Sequence, residues 1–262
     1  MNKTITAPMG EDKRGISSVI GFTILFSVVL IAVVLGSIAV FSAIDSTQQN
    51  EDTNVAENTL KLVQDEIALL HQTKSAEQRA HPFSTSSGQL QTGNETTIRI
   101  YRFDGGEPDR VDDLFYEYNT DPIVYRQGNI DIAYVDGAVI RADTDAETSL
   151  MVSNPSHTFS TNNILYTSPQ LVYEKQPVGG GIDTQMRFVA QDRDVISDID
   201  EQQTEIEIQT EPEYAGAWVQ YVESVDILSI NTDQTNIEDG IIVYTVDEPK
   251  SIEIFTTDIV VE

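Results

Sequence analysis

The run "DIAYVDGAVIRA", Asp131–Ala142, decides the fold. Two apolar-rich runs with strand alternation flank Asp136-Gly137, and Asp-Gly in that setting is the strongest short-range signal for a two-residue type I′ hairpin. The pattern continues outward on both sides. Upstream, "TTIRIYRF" (Thr96–Phe103) places Ile98 and Ile100 on one face. Downstream, "TEIEIQT" (Thr204–Thr210) sets Ile206 and Ile208 against glutamates. "VDILSI", "GIIVYTV" and "SIEIFTTDIV" read as closing antiparallel strands, with Asp239-Gly240 as another turn and Gly179-Gly180-Gly181 as a loop. One stretch breaks this rhythm. In "EYAGAWVQYVESV" (Glu213–Val225), Tyr214, Trp218, Tyr221 and Val222 recur at helical spacing, and Pro212 stands where a helix can start. Residues 96–262 are therefore expected to form an acidic, mostly antiparallel β domain with one short inserted helix.

Ahead of this domain, the Ser/Thr/Gly-rich segment 83–95, beginning "FSTSSGQLQTGN", reads as a connector. Residues 45–82 contain no glycine, and no proline before Pro82. Ala56, Leu60, Val63, Ile67 and Leu70 form one helical stripe, widened by Leu62 and Leu69. The spacing predicts an amphipathic helix to about Ala80, stopped by His81-Pro82. Its stripe must cover either its own domain or neighbouring helices. From Ile16 to Ile44 no residue is charged. A helix of that length spans about 43 Å, more than the ~30 Å hydrocarbon core of a bilayer, so 16–44 is expected to be a transmembrane helix. The run is too long for a cleaved secretory signal, and the one signal-like cut lies before it, at Gly15. Lys3, Lys13 and Arg14 on one flank, against Asp45, Glu51 and Asp52 on the other, put the N-terminus inside and the rest outside. Ala32 with Gly36, and Ala39 with Ala43, are small pairs at the spacing that lets helices pack closely in lipid. The expected class is thus α+β, a long N-terminal transmembrane helix followed by a β-rich external domain.

The chain has 262 residues, with 43 Asp and Glu against 15 Lys and Arg, a formal net charge of −28. Nucleic-acid binding needs a basic footprint, so this balance argues against it. With 40% hydrophobic residues the chain can still build a core, which argues against disorder. Crowded carboxylates repel least at molar salt, where the Debye length is about 3 Å, so the composition points to a salt-loving source. The absence of cysteine excludes disulfides, CxxC metal sites and a cysteine nucleophile.

Lys13-Arg14-Gly15 followed by Ile16-Ser17-Ser18-Val19-Ile20-Gly21 resembles the class III, type IV prepilin-like signals of archaea, and haloarchaeal pilins in particular. The resemblance implies that a prepilin peptidase cuts between Gly15 and Ile16, and that the apolar helix survives as a filament core or an anchor. The remainder, through "IAYVDGAVIRAD", "MVSNPSHTF" and "YAGAWVQYVES", is similar over most of Ile98–Val261 to a haloarchaeal family of pilin-like exported proteins of unassigned function. Two positions depart from the pattern. Ile20 stands where bacterial pilins carry Glu, removing a device that registers subunits, and Ser18 stands where the motif usually has Pro. The expected protein is a non-enzymatic pilin-like surface subunit whose partners are membrane lipid, the prepilin peptidase and other subunits through the N-terminal helix. The alternative is an uncut, single-pass anchored domain that binds a ligand or cation.

No motif points to catalysis or a cofactor. Of the three histidines, His71 and His81 fall on or at the end of the expected helix. His157, near Ser153 and Ser156, reads as a polar loop residue with no nucleophile elbow to support a hydrolase. Asp143, Asp145 and Glu147, and the cluster Asp192, Asp194, Asp198, Asp200 and Glu201, lack the turn glycine of a calcium loop and read as solvated faces. Asn94-Glu95-Thr96 is a glycosylation sequon in an exposed connector.

Overall fold

The computed structural model describes residues 22, 24–31, 51–70, 78–83, 88–174, 184–200, 202–246 and 249–261. The chain divides into two compact units, Met1–Gln48 and Gln49–Glu262. In the first, residues 24–31 are helical and exposed, and the rings of Phe22 and Phe26 stack at 6.2 Å. Among the described residues no helix is long and apolar enough to cross a membrane. The expected α+β class built on a long transmembrane helix is therefore corrected, because the described structure is mostly β. The leader residues Lys13, Arg14, Gly15 and Ile16, and the small residues Ala32, Gly36, Ala39 and Ala43, lie outside the described residues.

The second unit opens with helix α1, residues 51–70. The strands follow in chain order: β1 (Gln78–Phe83), β2 (Gln89–Thr92), β3 (Thr96–Phe103), β4 (Leu114–Thr120), β5 (Ile123–Gln127), β6 (Ile130–Val135), β7 (Ala138–Asp143), β8 (Thr148–Ser153), β9 (Thr158–Phe159), β10 (Ile164–Tyr173), β11 (Thr184–Asp198) and β12 (Gln203–Gln209). Helix α2 (Pro212–Glu223) comes next, then β13 (Leu228–Ile230), β14 (Ile241–Val246) and β15 (Ile252–Val261). They form three five-stranded sheets, ordered β1-β11-β15-β10-β9, β13-β14-β12-β3-β4 and β2-β5-β6-β7-β8. Nearly all pairings are antiparallel, the exception being β10 with β15.

The opening hairpin is β6–β7, and its turn residues Asp136 and Gly137 have φ of 46° and 79°. Positive φ at both positions defines type I′, which matches the strand twist and which Asp and Gly tolerate. The near-continuous apolarity of Asp131–Ala142 has a direct cause, since its sheet is buried on both faces. Ala133, Val135, Ala138 and Ile140 enter one core with α2 and the sheet containing β3, β12 and β14. Ile132, Tyr134 and Val139 enter a second core with α1. A strand with only one buried face would alternate cleanly instead.

Helix α1 buries Ala56, Leu60, Val63, Ile67 and Leu70 in that second core, so its stripe covers its own domain. At roughly 1.5–3 kcal/mol for each large apolar side chain buried, this face holds the helix to the sheet. The helix was expected to extend to about Ala80, but Gln78–Phe83 is strand β1, at a sheet edge where Pro82 is tolerated. The expected connector likewise contains β2, paired with β5. Helix α2 starts on Pro212 as its sequence indicates and buries Tyr214, Trp218, Tyr221 and Val222.

Strands β10 and β15 are covered on opposite faces at their two ends. Ile164, Tyr166, Ile252 and Ile254 enter the first core, while Leu171, Ile259 and Val261, at odd positions, enter the second. Their odd-numbered face is thus covered at one end of the strands and must emerge at the other.

Candidate functional site

The hairpin turn carries a buried polar junction. Asp136 is 1% exposed. It accepts from Tyr118 Oη of β4, from Tyr166 Oη of β10 at 2.6 Å, and from His157 Nε2 at 3.3 Å. The Thr167 backbone N–H donates to His157 Nδ1 at 3.3 Å, so the ring proton sits on Nε2 and points at Asp136. The imidazole also stacks on Tyr166, with ring centroids 3.8 Å apart. Burial, reinforced by the Asp136 carboxylate, holds the Tyr118 and Tyr166 hydroxyls well above the usual phenol range, so both stay protonated donors. Since β4, β6–β7 and β10 belong to three different sheets, one side chain ties all three together. His157 lies in a loop between β8 and β9, as expected, but is buried there. With both ring nitrogens engaged, it has none left to take a proton from Ser153 or Ser156.

Helix α1 grips the same turn. Gln64 Nε2 donates to the Gly137 carbonyl at 2.6 Å and to the Asn154 carbonyl at 2.7 Å. Arg141 meets Glu57 at 2.9 Å, and Thr53 donates to Gln127 Oε1 at 3.4 Å. Sequence reasoning missed this junction because Tyr118, His157 and Tyr166 lie 18, 21 and 30 residues from Asp136 and no local spacing brings them together.

Where the odd-numbered face of β10 and β15 emerges beyond α1, it forms the floor of a groove of about 590 Å³. Thr167, Phe255 and Val195 sit in register across three neighbouring strands. Leu165 and Thr257 extend the floor, Ser156 and Thr158 form one wall, and Arg193, Asp194 and Ala68 complete the lining. A bulge in β11 between Ala190 and Arg193 sets where that strand's side chains fall.

The outer face of the sheet containing β3 carries a charge ladder. Glu117, Arg99 and Glu207 line up across β4, β3 and β12, with Arg99 2.6 Å from each carboxylate. Arg110 reaches Glu205 at 2.8 Å and lies 4.5 Å over the Tyr101 ring. Burial pushes the Glu205 carboxyl up despite the opposing pull of Arg110 and Asn231.

Asn94 is exposed, with its backbone N–H donating to Glu211 at 2.6 Å. The sequon's Thr96 is fully buried against Thr210, so a sugar on Asn94 would have to be added before the domain folds. Asp143 is used as a turn device, accepting from Asn129 Nδ2 at 2.8 Å and from the backbone N–H groups of Asp145 and Ala146 at 3.1 Å each. Among the described residues no group of three His, Asp or Glu side chains converges as metal ligands would.

This chain belongs to DUF7289, a family of unknown function whose model matches residues 14–262. No curated protein and no solved structure matches it.

Proposed function

We propose that this member of a family of unknown function is an exported, non-enzymatic pilin-like surface subunit, trimmed by a prepilin peptidase and retained in the membrane or in a filament by its apolar N-terminal segment. One observation carries the reading: Lys13-Arg14-Gly15 abuts the uncharged run Ile16–Ile44 with no signal-like cut after it. The division of the chain after Gln48 supports it, because leader and apolar run fall in one unit and the β domain in the other. Such a segment can pass from lipid into a bundle of like segments without exposure to water, which would cost tens of kcal/mol.

N-terminal sequencing of protein recovered from membranes or sheared surface filaments tests this. The mature chain begins at Ile16, and Gly15→Phe blocks trimming. Recovery of a chain beginning at Met1, or normal trimming of Gly15→Phe, refutes processing. Presence in sheared filaments distinguishes a polymerised subunit from one held singly in the membrane.

A further inference from the structure

We propose that Asn94 is an N-glycosylation site that is open to the transferase only while the chain is emerging, and that folding of the β domain closes it. The modification requires export, so it rests on the function proposed above.

The mature chain offers one acceptor. From Ile16 onward, Asn94-Glu95-Thr96 alone has the Asn-x-Ser/Thr form without an intervening proline, since Pro155 disqualifies Asn154-Pro155-Ser156. Asn2-Lys3-Thr4 lies ahead of the cut and would leave with the leader. Asn94 and Glu95 are both exposed, in the short link between β2 and β3. A saccharide on Asn94 therefore has room on the folded surface.

The folded surface is nevertheless a poor acceptor. The hydroxyl at the third position is part of what marks the asparagine for transfer. Thr96 is 0% exposed, and its Oγ1 lies 3.1 Å from Thr210 Oγ1. The backbone on either side is also fixed. The Gly93 N–H donates to the Pro122 carbonyl at 2.9 Å, the Asn94 N–H donates to Glu211 Oε1 at 2.6 Å, and Thr96 pairs with Thr120 at the start of β3. A transferase would have to pull this link away from two sheets to reach the hydroxyl.

Chain order supplies the opening. Thr210 follows Thr96 by 114 residues, and Glu211 follows Asn94 by 117. A chain emerging N-terminus first presents the sequon well before either partner exists to cover it. At the pace of synthesis, roughly 5–20 residues per second, the 114-residue lag lasts about 6–23 s. In that interval the Asn94 side-chain nitrogen attacks the anomeric carbon of a saccharide carried on an isoprenoid phosphate. The C–N bond forms as the C–O bond to phosphate breaks. The lipid phosphate leaves with the electron pair, and the amide yields one proton to a base of the transferase.

The test is peptide mass spectrometry on the full chain recovered from membranes or sheared filaments of the native cell. Trypsin releases Ala80–Arg99, in which Asn94 is the single asparagine. This peptide carries a saccharide that fragmentation places on Asn94. Asn94→Gln abolishes it, Thr96→Ser retains it and Thr96→Val abolishes it. Asn94 is exposed, so its variant guards against a folding defect in Thr96→Val, and emission from the buried Trp218 reports that each variant is folded. Order is tested with unmodified full chain, made in a host lacking the transferase and offered in detergent to native membranes that carry the lipid-linked saccharide. Chain freshly diluted from urea accepts the saccharide, and chain already folded does not. An unmodified Asn94 on a chain beginning at Ile16 overturns the site and leaves the proposed function standing. An unmodified chain beginning at Met1 overturns both, and a modified one beginning at Met1 overturns trimming alone. A saccharide that persists in Asn94→Gln overturns the assignment to Asn94, and equal acceptance by folded chain overturns the order of events.

Discussion

Replacing Asp136 tests whether one carboxylate holds three sheets together. Asp136→Ala leaves three buried donors unpaired: the hydroxyls of Tyr118 and Tyr166 and the Nε2–H of His157. An orphaned buried polar group costs about 1–3 kcal/mol, so the set costs about 3–9 kcal/mol before any rearrangement. The turn adds to this, because φ at position 136 is 46° and alanine there loses roughly 1–2 kcal/mol. Against a total stability of about 5–15 kcal/mol, the variant should be largely unfolded or close to it. Asp136→Asn is the finer probe. It tolerates the same φ and keeps one acceptor oxygen, and Tyr166 can turn its hydroxyl to accept from the new amide. A loss of about 1–3 kcal/mol is expected, since only part of the arrangement is broken.

The assay is urea unfolding of the full chain in detergent at constant molar salt, followed by tryptophan emission. The chain has one tryptophan, Trp218, which is fully buried in the same core as Tyr118 and Tyr166. In double-mutant cycles, Tyr118→Phe and Tyr166→Phe should cost less in the Asp136→Asn background than alone, because part of their partner's bonding is already lost. An Asp136→Ala variant within about 0.5 kcal/mol of the parent, or purely additive cycles, would refute the junction.

Gln64→Leu keeps the helix but strips the Gly137 and Asn154 carbonyls of their donor, and should lower stability by about 1–3 kcal/mol in the same unfolding assay. Gly240→Ala should be far costlier than Gly106→Ala, although φ is +72° and +83° respectively, because a Cβ at 240 would lie 1.9 Å from the Thr210 carbonyl oxygen whereas at 106 it meets open space; the comparison is read as the difference between the two urea midpoints. Glu205→Gln probes pH dependence. Burial raises the folded-state pKa of Glu205 above its unfolded value, so its contribution is fully present below the usual glutamate range and is lost as pH rises through the raised value. The glutamine variant should therefore gain stability relative to the parent between pH 4 and pH 7, and an unchanged difference across that interval would contradict the assigned cause.

The hairpin at Asp136-Gly137, the Ile98/Ile100 and Ile206/Ile208 faces and helix α2 were legible because each is written in local period and turn chemistry. The Ala56–Leu70 stripe was legible as a buried face, but its partner was not, since period says which residues are covered and not by what. The end of α1 was misjudged for a related reason. "QRAHPF" carries no apolar alternation of its own and becomes strand β1 only by pairing with β11, a partner more than a hundred residues away. The groove was illegible altogether. Phe255 reads as an ordinary strand residue and nothing in the sequence singles out Leu165 or Val195; their exposure follows from the cover over β10 and β15 passing from one face to the other between Tyr166 and Leu171 and between Ile254 and Ile259. Such a change depends on the layers stacked above and below each strand.

The buried acids explain how so acidic a chain can be well packed. Surface carboxylates repel one another weakly once salt shortens the Debye length to about 3 Å, but screening of that kind does not reach the interior. Each acid taken inside must be satisfied locally, and each is satisfied differently. Asp131 pairs with Arg126 across neighbouring strands, at 2.8 and 3.1 Å from its Nε, and that contact raises the arginine's pKa. Glu205 takes Arg110 and Asn231. Asp136 takes two phenols and an imidazole, with no arginine or lysine among its hydrogen-bonded partners. Arginine would be the simpler choice, yet its long stem and planar fork would have to fit at a tight turn where three sheets and α1 converge. Flat rings fill that space and still present a donor edge. The same choice places His157 and Tyr166 as a stacked pair behind Thr167, and Thr167 is the residue that opens onto the groove. The junction that closes the core thereby also fixes part of the groove's floor, so damage to Asp136 should be transmitted to the groove although Asp136 itself is not in its lining.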